Sequence, residues 1–204
     1  MMRPAEILLY GEIGVDTTAR DVAAQLQLVS PGQGLDVLIN SPGGSVPDGV
    51  AIISQLKAFT GRWRAIVQGY ALSIACAVAA SADQVLVSEG SRLMIHKPYA
   101  GNTSGTASDL RRTAGVLDGI QVDLVKVFQK RTGKSEAQVL NWMSAETWFS
   151  ASEAIAAGLA DRMTTTGTMR NSFDLAKLGY RNIPAPLLRP RYTAAAALMR
   201  GMSK

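Results

Sequence analysis

Short, fully apolar runs alternate along the chain with segments whose apolar residues recur at helical spacing. Residues 7–10 (ILLY) are apolar and stop at Gly11, as a short buried strand does. Over 17–29, Val22, Leu26 and Val29 repeat at helical spacing, and Ser30-Pro31-Gly32-Gln33-Gly34 ends that helix. Residues 36–40 (DVLIN) predict a second strand. A turn at 41–45 (SPGGS) and a helix from about 48 to 59, carrying Val50, Ile53 and Leu56, follow it. Residues 65–67 (AIV) predict a third strand ending at Gly69, and the small-residue stretch 72–82 predicts a buried helix packed close to its neighbours. Two more strands are expected at 84–87 (QVLV) and 92–95 (RLMI), then a loop over 98–105. A long amphipathic helix spans 107–131, stopped by Thr132-Gly133, and shorter helices cover 135–143 and 150–157.

This alternation of strand and helix argues for an α/β fold with a largely parallel sheet. After about residue 165 the character changes to threonines, prolines, arginines and a run of alanines. We therefore expect a core domain over 1–163 and a basic C-terminal extension over 164–204, either a contact arm or a disordered tail. Tyr180, Leu187, Leu188 and Tyr192 favour the arm.

Composition narrows the classes. Of 204 residues 47% are hydrophobic and 18% charged, enough apolar surface for a sizeable core and too little charge for a disordered chain. The net charge of +5 is mild, and much of it lies in Arg170, Lys177, Arg181, Arg189, Arg191, Arg200 and Lys204 near the C-terminus. No nucleic-acid partner is expected from it, and Arg111-Arg112 and Lys130-Arg131 read as solvated helix faces. The single cysteine, Cys76, has no disulfide partner within the chain, which fits a reducing cytoplasm. One cysteine and one histidine make no metal-ligand cluster, so no metal is expected. The N-terminus lacks an apolar signal region, and the longest near-apolar run, 71–82, is too short to span a bilayer. A cytoplasmic protein without membrane contact is the expectation.

Three segments could carry chemistry. His96 follows the strand RLMI, and strand ends are where active sites of α/β folds collect. It is the side chain suited to general-base work near neutral pH, although a histidine can also merely cap a strand. Ser73 lies between a strand and a small-residue helix, where a nucleophile meets free backbone N–H groups; an ordinary N-cap serine is the plain alternative. Gly43-Gly44, after a buried strand, permits a tight turn and close approach of a backbone N–H to a substrate. With no following Gly-Lys-Ser/Thr it is not a phosphate loop. Nucleophile, base and oxyanion donors together are the parts of acyl-transfer chemistry.

The blocks INSPGGSVPDGVAI (39–52), GYALSIACAVAASAD (69–83), RLMIHKP (92–98), TGKS (132–135) and SASEAIAAGLAD (150–161) resemble the ClpP-like serine peptidases. That family comprises the proteolytic subunit of the Clp protease and the shorter head-maturation proteases of tailed phages and prophages; the phage type is the nearer likeness. The resemblance covers about residues 6–163. It implies Ser73 as nucleophile, His96 as general base, and the N–H groups of Gly44 and Ile74 as the oxyanion hole. It also implies a crotonase-like spiral of βαβ units, cofactor-free hydrolysis of a polypeptide substrate, and a homo-oligomeric ring. The segment 98–108 would belong to the family's handle.

Three departures accompany it. Gapless alignment of the TGKS and SASEA blocks puts Trp142 where the family has its catalytic aspartate, with Asn141, Ser144 and Glu146 nearby. Only a few residues precede the first strand, where the Clp subunit has pore-gating loops. An AAA+ unfoldase partner is therefore disfavoured, and an ATP-independent head-maturation protease is the expectation. The third departure is the C-terminal extension. Rival readings are an acyl-CoA enzyme of the crotonase type, for which Asp48 and Glu89 are the available carboxylates, and a non-catalytic oligomeric homologue. A Ser–Lys dyad would need Lys97, whose side chain should point away from Ser73. Trp142 and Trp148 read as core residues.

Overall fold

In the computed structural model, residues 3–101, 103–165 and 173–188 are described. The chain order is β1 (Ala5–Tyr10), α1 (Ala19–Gln27), β2 (Leu35–Ser41), α2 (Val46–Ala58), β3 (Trp63–Leu72), α3 (Ile74–Ala80), β4 (Gln84–Ser88) and β5 (Arg92–Ile95). Then come α4 (Ala107–Thr132), α5 (Glu136–Ser144), β6 (Thr147–Ser150), α6 (Ala151–Ala157) and β7 (Arg162–Thr164). Two 3₁₀ turns, Leu175–Leu178 and Ala185–Leu187, lie beyond them. None of the described helices is long and apolar enough to cross a membrane.

Except for α3, the α-helices start where side chains take up orphan backbone N–H groups. Capping boxes pair Thr18 with Asp21, Thr106 with Asp109 and Ser150 with Glu153 at α1, α4 and α6. Ser45 caps α2, which carries Pro47 in its first turn. α4 and α6 end on left-handed Gly133 and Gly158.

Strands β1-β2-β3-β4-β7 form a parallel sheet, as the alternating pattern predicts. Strand β3 differs from expectation. It does not stop at Gly69 but runs ten residues to Leu72 and forks. Its first half, Arg64 to Val67, pairs with β4, and its last part, Tyr70 to Leu72, pairs with β5. Between the halves the ladder with β2 slips from Ile39↔Val67 to Ser41↔Ala71. Buried Asn40 repairs the slip, its side-chain oxygen accepting the Tyr70 N–H at 3.0 Å. β5 pairs antiparallel with β6, a strand the sequence reading did not anticipate; the small β7 was likewise not anticipated.

One face of the sheet packs on α1, α2, α3 and α4 in the main core, with α3 (IACAVAA) wholly buried. Its small side chains allow that proximity. Gly49 of α2 sits so close to α3 that an added Cβ would meet Ile74 at 2.1 Å. Along β3 and β5, Ala71, Leu93 and Ile95 face this core, while Tyr70, Leu72 and Met94 face a second apolar cluster. That cluster is closed by residues 173–188, with Leu175 at 3% exposure and Leu178, Tyr180, Ile183 and Leu187 packed around it. Of the residues expected to make a contact arm, Tyr180 and Leu187 do pack here. Leu188 is exposed, and Tyr192 lies outside the described residues.

Candidate active site

The carboxyl ends of β2, β3 and β5 meet at one place, and each delivers one candidate group. Ser73 directly follows β3 and adopts φ 56°, ψ −127°, a left-handed conformation that few residues other than glycine tolerate. Strand and helix hold it on both sides: its N–H donates to the Met94 carbonyl at 2.9 Å, and its carbonyl accepts from Cys76 N–H at 3.0 Å. α3 therefore begins at Ile74 rather than at residue 72. Ser73 occupies the N-cap position yet makes no capping bond. Its Oγ lies 2.7 Å from His96 Nε2 instead, so the N-cap alternative for the serine and the strand-cap alternative for the histidine both give way to a serine–histidine pair.

His96 sits one residue past β5. Burial pushes its pKa below the ordinary histidine value, while the negative charge of Glu146 pulls the other way. The ring is accordingly biased to the neutral form, in which one ring nitrogen is free to accept a hydrogen bond. Tyr99 and Tyr180 stand edge-on to it, each with ring centroids 5.6 Å away.

Gly43 and Gly44 bring the turn after β2 against the serine. Both have positive φ, and a Cβ on Gly43 would lie 2.8 Å from Ser73 Cβ and from the Leu72 carbonyl oxygen. Gly44 is clamped on its other side, where a Cβ would come within 2.3 Å of the Ile13 carbonyl. Ile13 bonds the neighbours of Gly44, accepting from Ser45 N–H and donating to the Gly43 carbonyl, which leaves the Gly44 N–H out of that bridge. Ile74 is the first residue of α3, so its N–H has no acceptor within the helix. The four residues singled out in the sequence, Ser73, His96, Gly44 and Ile74, thus converge on one spot.

The other candidates do not join them. Trp142 stacks edge-on against Phe149 at 5.4 Å and packs on the main core. Trp148 belongs instead to the second cluster, beside Tyr180. Lys97 is exposed. Asp48 is occupied at the start of α2, accepting from Ser45 Oγ at 2.8 Å and Ala19 N–H at 3.1 Å, and Glu89 is exposed in the β4–β5 turn. Cys76 is fully buried, its thiol pushed up to about 12 by desolvation, which leaves it inert. After the loop expected over 98–105, α4 begins at Ala107, where the amphipathic pattern places it.

Sequence reasoning left Glu146 among several neighbours; the structure singles it out. The β5–β6 ladder pairs Ile95 with Thr147, which sets Glu146 opposite His96 one step on. Glu146 is only 8% exposed and has φ 49°. Its carboxylate accepts from Arg181 N–H at 2.8 and 3.1 Å, from Asn182 N–H at 2.8 Å, and from the Trp148 indole at 3.4 Å. The available signal was the run Thr147-Trp148-Phe149, β-branched and aromatic, which identifies the strand that Glu146 immediately precedes.

Comparison with known proteins identifies the family. A family model described as Clp protease matches residues 1–167. The ATP-dependent Clp protease proteolytic subunit 1 of Protochlamydia amoebophila is 34% identical over 141 residues, 68% of this chain and 68% of its own length. Proteolytic subunit 2 of Tropheryma whipplei is 30% identical over 172 residues, 78% of this chain and 91% of its own. Proteolytic subunit 3 of Rhodococcus jostii is 31% identical over 179 residues, 81% and 84%. With the family model spanning most of its length and these relatives aligned over two thirds or more, the chain belongs to the Clp protease family.

Proposed function

We propose that the protein is a serine endopeptidase that hydrolyses peptide bonds at Ser73. The observation that carries the reading is the 2.7 Å contact between Ser73 Oγ and His96 Nε2, with the serine held at a strained strand-to-helix turn. Ser73 Oγ attacks the scissile carbonyl carbon while His96 takes its proton. The N–H groups of Gly44 and Ile74 receive the developing oxyanion. When the tetrahedral intermediate collapses, His96 hands the proton to the leaving amine and an ester on Ser73 remains. A water molecule, deprotonated by the same histidine, then releases the acid and restores the serine. Glu146 acts on His96 through charge, stabilising the imidazolium that exists between these proton transfers. It replaces in role, from another position, the aspartate whose place Trp142 occupies.

The substrate we assign is polypeptide, and the working form a homo-oligomeric ring, on the strength of family membership. The cellular role assigned is maturation of a phage or prophage head, resting on the sequence blocks described above. The relatives are named ATP-dependent. For this chain we propose cleavage of unfolded polypeptide without nucleotide, so adding ATP and an AAA+ unfoldase should leave that rate unchanged.

The decisive experiment is intact mass after treatment with a fluorophosphonate, on wild type and on Ser73→Ala and His96→Ala. One adduct on wild type, absent from both variants, is expected. Labelling that persists in Ser73→Ala would sink the assignment.

A further inference from the structure

Residues 173–188 do more than close the second apolar cluster. Leu175 is sunk against Tyr70, Leu72 and Met94, the outward face of the forked part of β3 and its partner β5. Phe173 lies on Tyr70 with ring centroids 6.2 Å apart. From this anchor the segment crosses the candidate site. The Tyr180 hydroxyl donates to the carbonyl of Pro42, the residue before the Gly43-Gly44 turn. The same ring stands edge-on to His96 at 5.6 Å and to Trp148 at 5.7 Å. Tyr180 thus bridges the oxyanion turn and the histidine, the two sides between which a scissile carbonyl must enter. Just beyond it, the backbone N–H groups of Arg181 and Asn182 hold the Glu146 carboxylate, and Asn182 Nδ2 donates to the Ala145 carbonyl at 2.7 Å.

We propose that residues 173–188 are an intramolecular strap that shuts the catalytic centre against polypeptide, with Tyr180 as its plug and Glu146 as its second fastening. The inference rests on the serine-peptidase reading and adds a closed state to it. The attachment suits a reversible device. The strap contributes no strand to the sheet; side-chain packing and isolated hydrogen bonds hold it, with two short 3₁₀ turns along its length. Release would vacate the space over Ser73 and His96 and remove the two backbone donors from Glu146, leaving its charge to serve the imidazolium. Access to Ser73 then scales with the released fraction, so weakening the strap raises the rate until that fraction approaches one.

The test uses the full chain with three substitutions. Leu175→Ala weakens the anchor without touching the catalytic groups, Tyr180→Ala removes the plug, and Tyr180→Phe removes only the bond to Pro42. The readouts are the rate of fluorophosphonate adduct formation by intact mass and the hydrolysis of a fluorogenic peptide, with folding checked by circular dichroism. Both rates should rise, about tenfold or more for Leu175→Ala and Tyr180→Ala and about three- to tenfold for Tyr180→Phe. The adduct should vanish when Ser73→Ala is added. Folded variants labelled at the wild-type rate or more slowly would overturn the strap, showing instead that the segment completes the site by holding Glu146. No adduct on any folded variant, wild type included, would overturn the serine-peptidase reading itself and leave nothing for a strap to shut.

Discussion

The backbone at Ser73 offers a test that separates conformation from chemistry. At φ 56°, ψ −127° any residue with a Cβ is crowded, and such a conformation costs about 1–3 kcal/mol. The fold sustains it because the Ser73 N–H is fixed to Met94 and its carbonyl to Cys76. Ser73→Ala and Ser73→Gly both delete the hydroxyl and its bond to His96, so both should be inactive. They differ only in the Cβ. Glycine relieves the crowding but gives up about 0.5–1 kcal/mol through the greater freedom of the unfolded chain. The difference leaves the glycine variant more stable than the alanine variant by about 1 kcal/mol. At an ordinary helical position the order is the reverse, with glycine about 1 kcal/mol worse. Urea unfolding followed by tryptophan fluorescence, with a common m-value, measures the gap. A glycine variant about 1 kcal/mol less stable than the alanine variant would refute the claim that the fold strains this residue.

Glu146→Gln should move the acid limb of the kcat/KM–pH profile to lower pH. The carboxylate raises the His96 pKa against the lowering effect of burial, so losing its charge lets that pKa fall further. The active base is the neutral ring, and it then survives to lower pH. Compared within the Leu175→Ala background, where the strap is already loosened, maximal kcat should nevertheless drop, because the imidazolium is less stabilised; a purely structural Glu146 would leave the limb in place. Gly49→Ala should cost about 1–3 kcal/mol, since its Cβ would be driven into Ile74 at 2.1 Å and force α2 and α3 apart. Because α3 opens on the Ile74 N–H, kcat should also fall, by about 10- to 100-fold. Adding Ile74→Ala should recover stability beyond additivity, as measured in a double-mutant cycle.

Much of this architecture is readable in the chain because burial imposes short periods on it. Strand β2 is buried along its whole length and is legible from the apolar run Val37-Leu38-Ile39 at its centre, and α4 announces itself by amphipathic spacing, Thr106 at its start and Gly133 at its end. The sequence is opaque where one strand serves two neighbours. Strand β3 pairs with β4 in its first half and β5 in its last, and Gln68-Gly69, at the crossing, looks like the end of a strand. The repair by the Asn40 side chain depends on a register that no local pattern encodes. The serine and histidine were legible as types at the ends of elements, but the 2.7 Å contact between them requires that fork. Residues 173–188 were opaque for another reason: their partners, Tyr70, Leu72 and Met94, are about a hundred positions away in the chain, on the face of β3 and β5 opposite the main core.

The carboxylate that we propose acts on His96 follows the same logic. Position 142 lies on α5, and its indole packs on Phe149 at 5.4 Å and on the main core, where a carboxylate would be desolvated without a partner. Position 146 lies where α5 turns into β6, next to the Ile95↔Thr147 pair that ends the ladder on the side of His96. To face that way the backbone takes φ 49°, so Ser73 and Glu146 are the two non-glycine residues with positive φ among those described. Strain of this kind persists where the surrounding structure enforces it and a site uses the result. Here it falls on the residue whose hydroxyl contacts His96 and on the residue whose charge acts on His96 from just before β6. Glu146→Asp keeps the charge but shortens the reach; relative to Glu146→Gln it should restore the acid limb while recovering only part of kcat. A limb that stays at the Gln position would mean that charge at residue 146 does not govern the histidine.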